Sequence, residues 1–152
     1  MFRGINAVTL DAKGRMAIPT QYRDKVLDTA DGNMVVTIDT EDRCLMLYCA
    51  DAWQEIEDQL ASLPTFNPAT RRIQRLLIGH AADLSMDKNG RVLIPTILRD
   101  YAGLDKNVIL LGQGKRFEIW GESQWELGRD SWLAIDTSED GGVPHELMSL
   151  SL

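Results

Sequence analysis

Two arginines, Arg15 and Arg91, each stand one residue after a glycine and four after an aspartate. Asp11-Ala-Lys-Gly14-Arg15 and Asp87-Lys-Asn-Gly90-Arg91 are two versions of one short loop. A guanidinium at the tip of a two-stranded ribbon has a defined chemistry. The ribbon fits the DNA major groove, and the guanidinium can bond guanine O6 and N7 together. Asp11 and Asp87 have two compatible uses: pairing with the arginine to hold the turn, and aiming the guanidinium while some of its donors stay free. Gly14 and Gly90 supply the turn, because glycine accepts positive φ without steric cost. Arg3 and Lys13 flank the first strand and turn, as Lys88 does the second. Phosphate contact is the chemistry open to them, which positions a protein without reading sequence. Lys13 and Lys88, taken singly, serve nearly as well as solvated surface charge.

These residues belong to a repeat. The stretch from Leu10 to Asp24 returns 76 positions later, from Met86 to Asp100, with eight of 15 positions identical. A repeat has to be recognised before any fold is inferred. It extends further: Met34-Val35-Val36 corresponds to Val108-Ile109-Leu110, and Leu45, Leu47, Tyr48 and Trp53 to Phe117, Ile119, Trp120 and Trp125. Each unit reads strand, tight turn, short strand, short helix, strand, strand, helix. The first strand is expected from about Arg3 to Leu10, and the short strand from Arg15 to Ile18, ended by Pro19 because proline cannot donate to a ladder. Tyr22 and Val26 fall one turn apart on the short helix, mirrored by Leu98 and Ala102. Asp51 with Gln54, and Ser123 with Glu126, have capping-box spacing. Trp53, Ile56, Leu60 and Leu63 make one apolar stripe. Asn67-Pro68 opens a connecting helix, with Ile73, Leu76, Leu77 and His80 on its apolar side.

Two short strands cannot bury enough apolar surface to stand alone. The expected fold is therefore β-rich α+β, with the two copies pairing with each other around a pseudo-twofold β core and helices at the periphery. The expected divisions are 1–63, a connector at 64–80, a second unit at 81–135 and an acidic tail at 136–152, loosely ordered with a final helical turn.

The formal net charge of −7 argues against nucleic acid until its distribution is read. Met1 to Leu27 carries five basic and two acidic side chains, and Arg71 to Asp100 six and three, so each is net +3. Asp28 to Leu63 carries one against nine, and Phe117 to Leu152 one against eight. Positive charge thus coincides with the repeated motif, a partner signal, although a mixed-charge solvated surface accounts for the map equally well. Phosphate affinity depends on local neutralisation, so the net charge is no bar. Arg23 and Arg99 stand beside Asp24 and Asp100; internal salt bridging and phosphate binding are evenly matched for them. Arg71, Arg72 and Arg75 fit an exposed helix face or a subunit contact.

The motifs LDAKGRMAIPTQYR and MDKNGRVLIPTILR each resemble the swapped-hairpin DNA-binding module of AbrB-like regulators. With MFRG at the start, CLMLY before Trp53, RRIQRLLIGHA in the connector and KRFEIW before Trp125, the chain resembles the MraZ family of bacterial regulators associated with the division and cell-wall gene cluster. That resemblance spans Met1 to about Trp125. It implies two tandem AbrB-like units, sequence-specific binding to double-stranded DNA, repression of the chain's own operon, and assembly into a ring of identical subunits. It also strengthens DNA contact by Arg15 and Arg91.

Other functions find little support. His80 lies on an apolar helix side and His145 beside Pro144 and Glu146, and no serine or cysteine has an activating partner identifiable by motif. Gly112-Gln-Gly-Lys115 is too short for a phosphate loop and lacks its Ser/Thr; a hairpin turn accounts for it. The histidines and cysteines lack zinc-ligand spacing, and no cofactor is expected. Cys44 and Cys49, five apart in a strand, face opposite ways, as buried thiols of a reducing cytoplasm. No run approaches the roughly 20 apolar residues of a membrane span, and no export signal opens the chain, so the expected location is the cytoplasm, at the nucleoid. Two alternatives remain: an AbrB-like antitoxin acting through its acidic tail, and a purely structural ring scaffold. Because Lys13 precedes Gly14 whereas Asn89 precedes Gly90, the first copy is expected to bind DNA more strongly.

Overall fold

Strands pair across the repeat more than within it. In the computed structural model, which describes residues 1–135 and 142–152, β1 (Phe2–Thr9) lies antiparallel to β7 (Asn107–Gly114) of the other copy. The equivalent strand of the second copy, β5 (Ala82–Ser85), lies against β3 (Asn33–Ile38) of the first. The short strands β2 (Arg15–Ala17) and β6 (Arg91–Leu93) pair with each other as a separate ribbon. Within the first motif, β1 and β2 keep only the Leu10–Met16 bridge.

Two hairpins complete the large sheet. β3 pairs with β4 (Leu45–Cys49), and β7 with β8 (Arg116–Gly121), through the turn that the Gly114-Lys115 sequence predicts. β4 and β8 join at the middle, giving the order β1-β7-β8-β4-β3-β5. Exchanging the copies reverses this order into itself. Two registers place the pseudo-twofold axis: Met16 lies opposite its equivalent Val92, and Met46 opposite its equivalent Glu118.

The sheet has helices on both sides, so its central strands are buried almost throughout. On one side are the β2–β6 ribbon, α1 (Thr20–Ala30) and α4 (Thr96–Ala102). They close the main core, in which Met16, Ile18, Val26, Ile94, Leu98 and Phe117 are fully buried. Tyr22 and Val26, and Leu98 and Ala102, are the buried faces of these helices, as their spacing predicts. Burying each such large side chain is worth roughly 1.5–3 kcal/mol. The core therefore needs both copies.

On the opposite side α2 (Ala50–Ala61) packs Trp53 against Tyr48, Val35 and Met46, while α5 (Glu122–Ala134) packs Trp125 against Trp120, Ile109 and Cys44. The capping boxes expected at Asp51/Gln54 and Ser123/Glu126 do not form. β4 and β8 run directly into the helices, so the N-cap positions fall on Cys49 and Gly121 and the expected capping residues already lie inside the first turn. The apolar stripe of α2 fades along its length, and Leu63 lies exposed beyond the helix end.

Asn67 does cap its helix, accepting from the Ala69 N–H at 2.8 Å. That connector is α3 (Pro68–Ile73) followed by a π-helical turn, Gln74–Ile78, which brings Leu77 and Ala81 onto the Tyr48–Trp53 cluster. Cys44 and Cys49 are both buried but belong to different clusters. The expected terminal helical turn is α6 (His145–Met148). The remainder of the acidic-tail expectation, at 136–141, lies outside the described residues.

Candidate nucleic-acid interface

The β2–β6 register decides where the two arginines point. Arg15 is opposite Leu93, and Ala17 opposite Arg91. Opposed and alternate residues share a face of a ribbon, so Arg15, Ala17, Arg91 and Leu93 all project outward while Met16 and Val92 fill the core. Strand geometry puts the Arg15 and Arg91 Cα atoms roughly 8 Å apart on the diagonal. One exposed ribbon thus carries one arginine from each copy.

Each arginine is held the same way. Asp11 Oδ1 accepts from the Lys13 and Arg15 backbone N–H groups, both at 2.9 Å, and Oδ2 accepts from Arg15 Nε at 2.7 Å. Asp87 repeats the pattern with the N–H groups of Asn89 (2.8 Å) and Arg91 (2.9 Å) and with Arg91 Nε (3.1 Å). The Gly14 and Gly90 N–H groups close the turns on the Asp11 and Asp87 carbonyls, with φ of 87° and 74° at the glycines. Because aspartate takes Nε, the two Nη groups of each arginine remain available, and these can span a guanine edge. Structural pairing and outward presentation therefore coexist. Hydrogen bonds from the Arg15 backbone, then from its side chain and Lys13, hold the Asp11 carboxyl down at about 2, against opposition from desolvation. The same arrangement, led by the Arg91 backbone N–H, lowers Asp87.

The tips are also locked across the repeat. Ile94 N–H donates to Gly14 O at 3.0 Å, and Ile18 N–H to Gly90 O at 2.8 Å. Arg99 lies over the Gly14 turn and Arg23 over the Gly90 turn, each from the other copy's helix. Neither bonds the neighbouring aspartate that the sequence offers. Arg23 Nε donates to Ile18 O at 2.7 Å, and Arg99 Nε to Ile94 O at 3.0 Å. Nothing in the local sequence signals this, because Arg23 meets a turn 67 residues away and Arg99 one 85 residues away.

Lys13 and Lys88 are exposed on the turns themselves, beside these guanidiniums. Arg3 is not brought to them. It sits opposite Gln113, whereas Thr9, at the tip end of β1, sits opposite Asn107; six strand residues separate Arg3 and Thr9 by about 20 Å.

One group of possible metal ligands was hidden from sequence spacing. Asp39, Cys44 and Glu118 place one ligand atom each within 4.8 Å of one another. Part of the set is already engaged: Asp39 Oδ1 accepts from the Glu41 and Asp42 backbone and Glu118 Oε1 from the Trp120 indole, and burial pushes the Cys44 thiol far up, away from the thiolate a metal needs. The arrangement is better fitted to structure than to an ion.

A family model described as "MraZ protein, putative antitoxin-like" matches residues 1–76 and again 77–131. The chain belongs to the MraZ family. Proteins called transcriptional regulator MraZ from Legionella pneumophila and Coxiella burnetii are 57% and 56% identical to it, each over all 152 residues and the full length of both chains. The counterpart from Halorhodospira halophila is 51% identical over the same span. Each of the two family matches encloses one Asp-to-Arg tip, and the swapped strand pairing makes those tips a single surface. No helix among the described residues is long and apolar enough to cross a membrane.

Proposed function

We propose that this chain is a DNA-binding transcriptional regulator that reads double-stranded DNA with the β2–β6 ribbon. The observation that carries this reading is the placement of Arg15 and Arg91 on one outward face, each fixed through Nε and open at Nη. A B-DNA major groove about 12 Å wide admits a two-stranded ribbon. Arg15 and Arg91 read base edges, Asp11, Gly14, Asp87 and Gly90 set their aim, and Lys13 and Lys88 neutralise adjacent phosphates. Arg3, at the far end of β1, contacts a phosphate further along the duplex. Arg23 and Arg99 join this set as supports of the opposite copy's tip.

The finer reading is repression of the chain's own operon, in the division and cell-wall gene cluster, by a ring of identical subunits at the nucleoid. One ribbon offers few contacts, and linked copies convert later binding events into intramolecular ones. Operators made of short repeated sequences follow from that. Within each subunit, 1–63 and 81–135 act as the two tip-bearing units around the connector at 64–80, with 136–152 as a separate acidic tail.

A gel shift tests the reading. DNA from upstream of the chain's own gene is compared with random DNA of equal length, for wild type and Arg15→Ala, at several salt concentrations. Preference for the upstream DNA that Arg15→Ala abolishes is the expected outcome; equal binding to both DNAs by wild type sinks it. The family description, "putative antitoxin-like", supports a second reading: an antitoxin, with the acidic tail as the segment that would neutralise its partner. Removal of 136–152 separates the two, since it abolishes neutralisation and leaves DNA binding largely intact.

A further inference from the structure

The two copies share one strand order, but their outer sheet faces are finished differently. In the first copy, Tyr48 and Trp53 are covered by the connector, with Leu77 and Ala81 packed against them and Thr37 Oγ1 donating to Leu77 O at 2.7 Å. The second copy has the equivalent aromatic pair, Trp120 and Trp125, with no connector over it. Leu111 stands where Thr37 ties the connector down. There, among the described residues, the surface forms a cleft of about 320 Å³, lined by Asp42, Leu111, Gln113, Glu118, Trp120, Trp125 and Trp132.

Its walls are three tryptophans at large mutual angles. Trp120–Trp132, Trp125–Trp132 and Trp120–Trp125 have centroid separations of 5.4, 5.8 and 6.0 Å and interplanar angles of 81°, 62° and 65°. Trp132 folds back along α5 over Gly128, where an added Cβ would meet its ring at 3.0 Å. A mid-helix glycine is disfavoured relative to alanine; here it lets the third ring join the wall.

The charge differs between the copies as well. Met46 of the covered face has Glu118 as its equivalent on the open one. Glu118 is 8% exposed and accepts from the Trp120 indole N–H at 3.0 Å, while its other oxygen forms a long ion pair, 3.5 Å, with Arg116 outside the cleft lining. Asp42 adds a second carboxylate at the edge, with Asp39 and Glu41 next to it raising its pKa further beyond the effect of burial. No lysine or arginine lines the cleft. Aromatic faces beside carboxylates, here Asp42 and the loosely paired Glu118, attract organic cations through the ring quadrupole and charge together.

We propose that this cleft binds a small organic cation bearing an alkylammonium or guanidinium group. The site is independent of the DNA-facing ribbon, which lies on the other side of the sheet. Tetramethylammonium and methylguanidinium are titrated into the full chain by calorimetry and by tryptophan fluorescence, with neopentanol as the uncharged isostere. The expected result is saturable binding of a cation, with neopentanol at least tenfold weaker. Trp132→Ala removes a ring that is 43% exposed and so spares the core; it weakens cation binding roughly tenfold, in line with a desolvated cation–aromatic contact. Glu118→Gln keeps an acceptor for the Trp120 indole and weakens the cation similarly while leaving neopentanol unchanged. Circular dichroism verifies that both variants are folded. Absence of saturable cation binding, equal affinity for neopentanol, or a folded Trp132→Ala that binds like wild type overturns the proposal.

Discussion

Arg99 of the second copy rests on Gly14 of the first so closely that a Cβ on Gly14 would come within 2.6 Å of Arg99 Cζ. Gly14 is therefore constrained twice, by its φ of 87° and by an arginine from the far half of the chain. Gly14→Ala is expected to lower stability by about 1–3 kcal/mol from backbone strain and to weaken DNA binding as well. Arg99→Ala relieves the clash but not the strain. Thermal unfolding of both single variants and the double variant checks this: the double variant should be less destabilised than the sum of the singles. Strict additivity would mean that the two residues do not meet.

Arg15→Ala is expected to cost roughly 1–3 kcal/mol of discrimination between the operator and a variant with its contacted guanine replaced. Its melting temperature should stay near wild type, since the arginine lies outside the core. Arg91→Ala should cost less, because Lys13 precedes Gly14 while Asn89 precedes Gly90. Fluorescence anisotropy with matched and mutated operators measures both, and a larger loss for Arg91→Ala would reverse the assigned order.

Removing Lys13 tests a different kind of contact. A phosphate contact carries no sequence information, so Lys13→Ala should weaken operator and random DNA alike. It should also reduce the slope of log K against log salt by about 0.9. An unchanged slope would place Lys13 in solvent only.

The two aspartates set a pH limit. A carboxyl whose folded pKa lies below its unfolded value supports the fold above the unfolded value and loses that support as pH falls through the folded one. For Asp11 that window runs from the ordinary aspartate value of 3.8 down to about 2; Asp87 shifts in the same direction. Both are ionised throughout the neutral range, so they make the tip geometry, followed by NMR shifts of the Gly14 and Gly90 amides, flat between pH 5 and 8. A transition centred inside that range would contradict the hydrogen-bonded turn.

Much of this arrangement was legible because it is written as periodicity and punctuation. The Asp-to-Arg spacing gives the turn, and Tyr22, Val26, Leu98 and Ala102 give the inward faces of two helices. The repeat itself implies that the copies complete one another. What stayed illegible depends on tertiary proximity. Arg23 and Arg99 look like partners of adjacent aspartates, yet each finds a carbonyl and a distant glycine turn instead. Asp51 and Ser123 have capping spacing, but a strand entering its helix without a loop moves the cap upstream. Arg3 is near the tip in sequence and far from it in space, because an extended strand covers about 3.3 Å per residue.

The pairing of β1 with β7 also imposes an order on synthesis. Phe2 meets Gly114, and Thr9 meets Asn107, so the first strand to leave the ribosome waits for about three-quarters of the chain. At roughly 5–20 residues per second, that delay is on the order of 5–20 s. Over that time β1 is an unclaimed strand edge, available to any nascent neighbour from the same message. Arg3, charged and exposed on its outward face, and Gly4 beside it make it a poor template for such encounters. The architecture that unites the two tips thus also makes folding late, and places a demand for solubility on the very first residues translated.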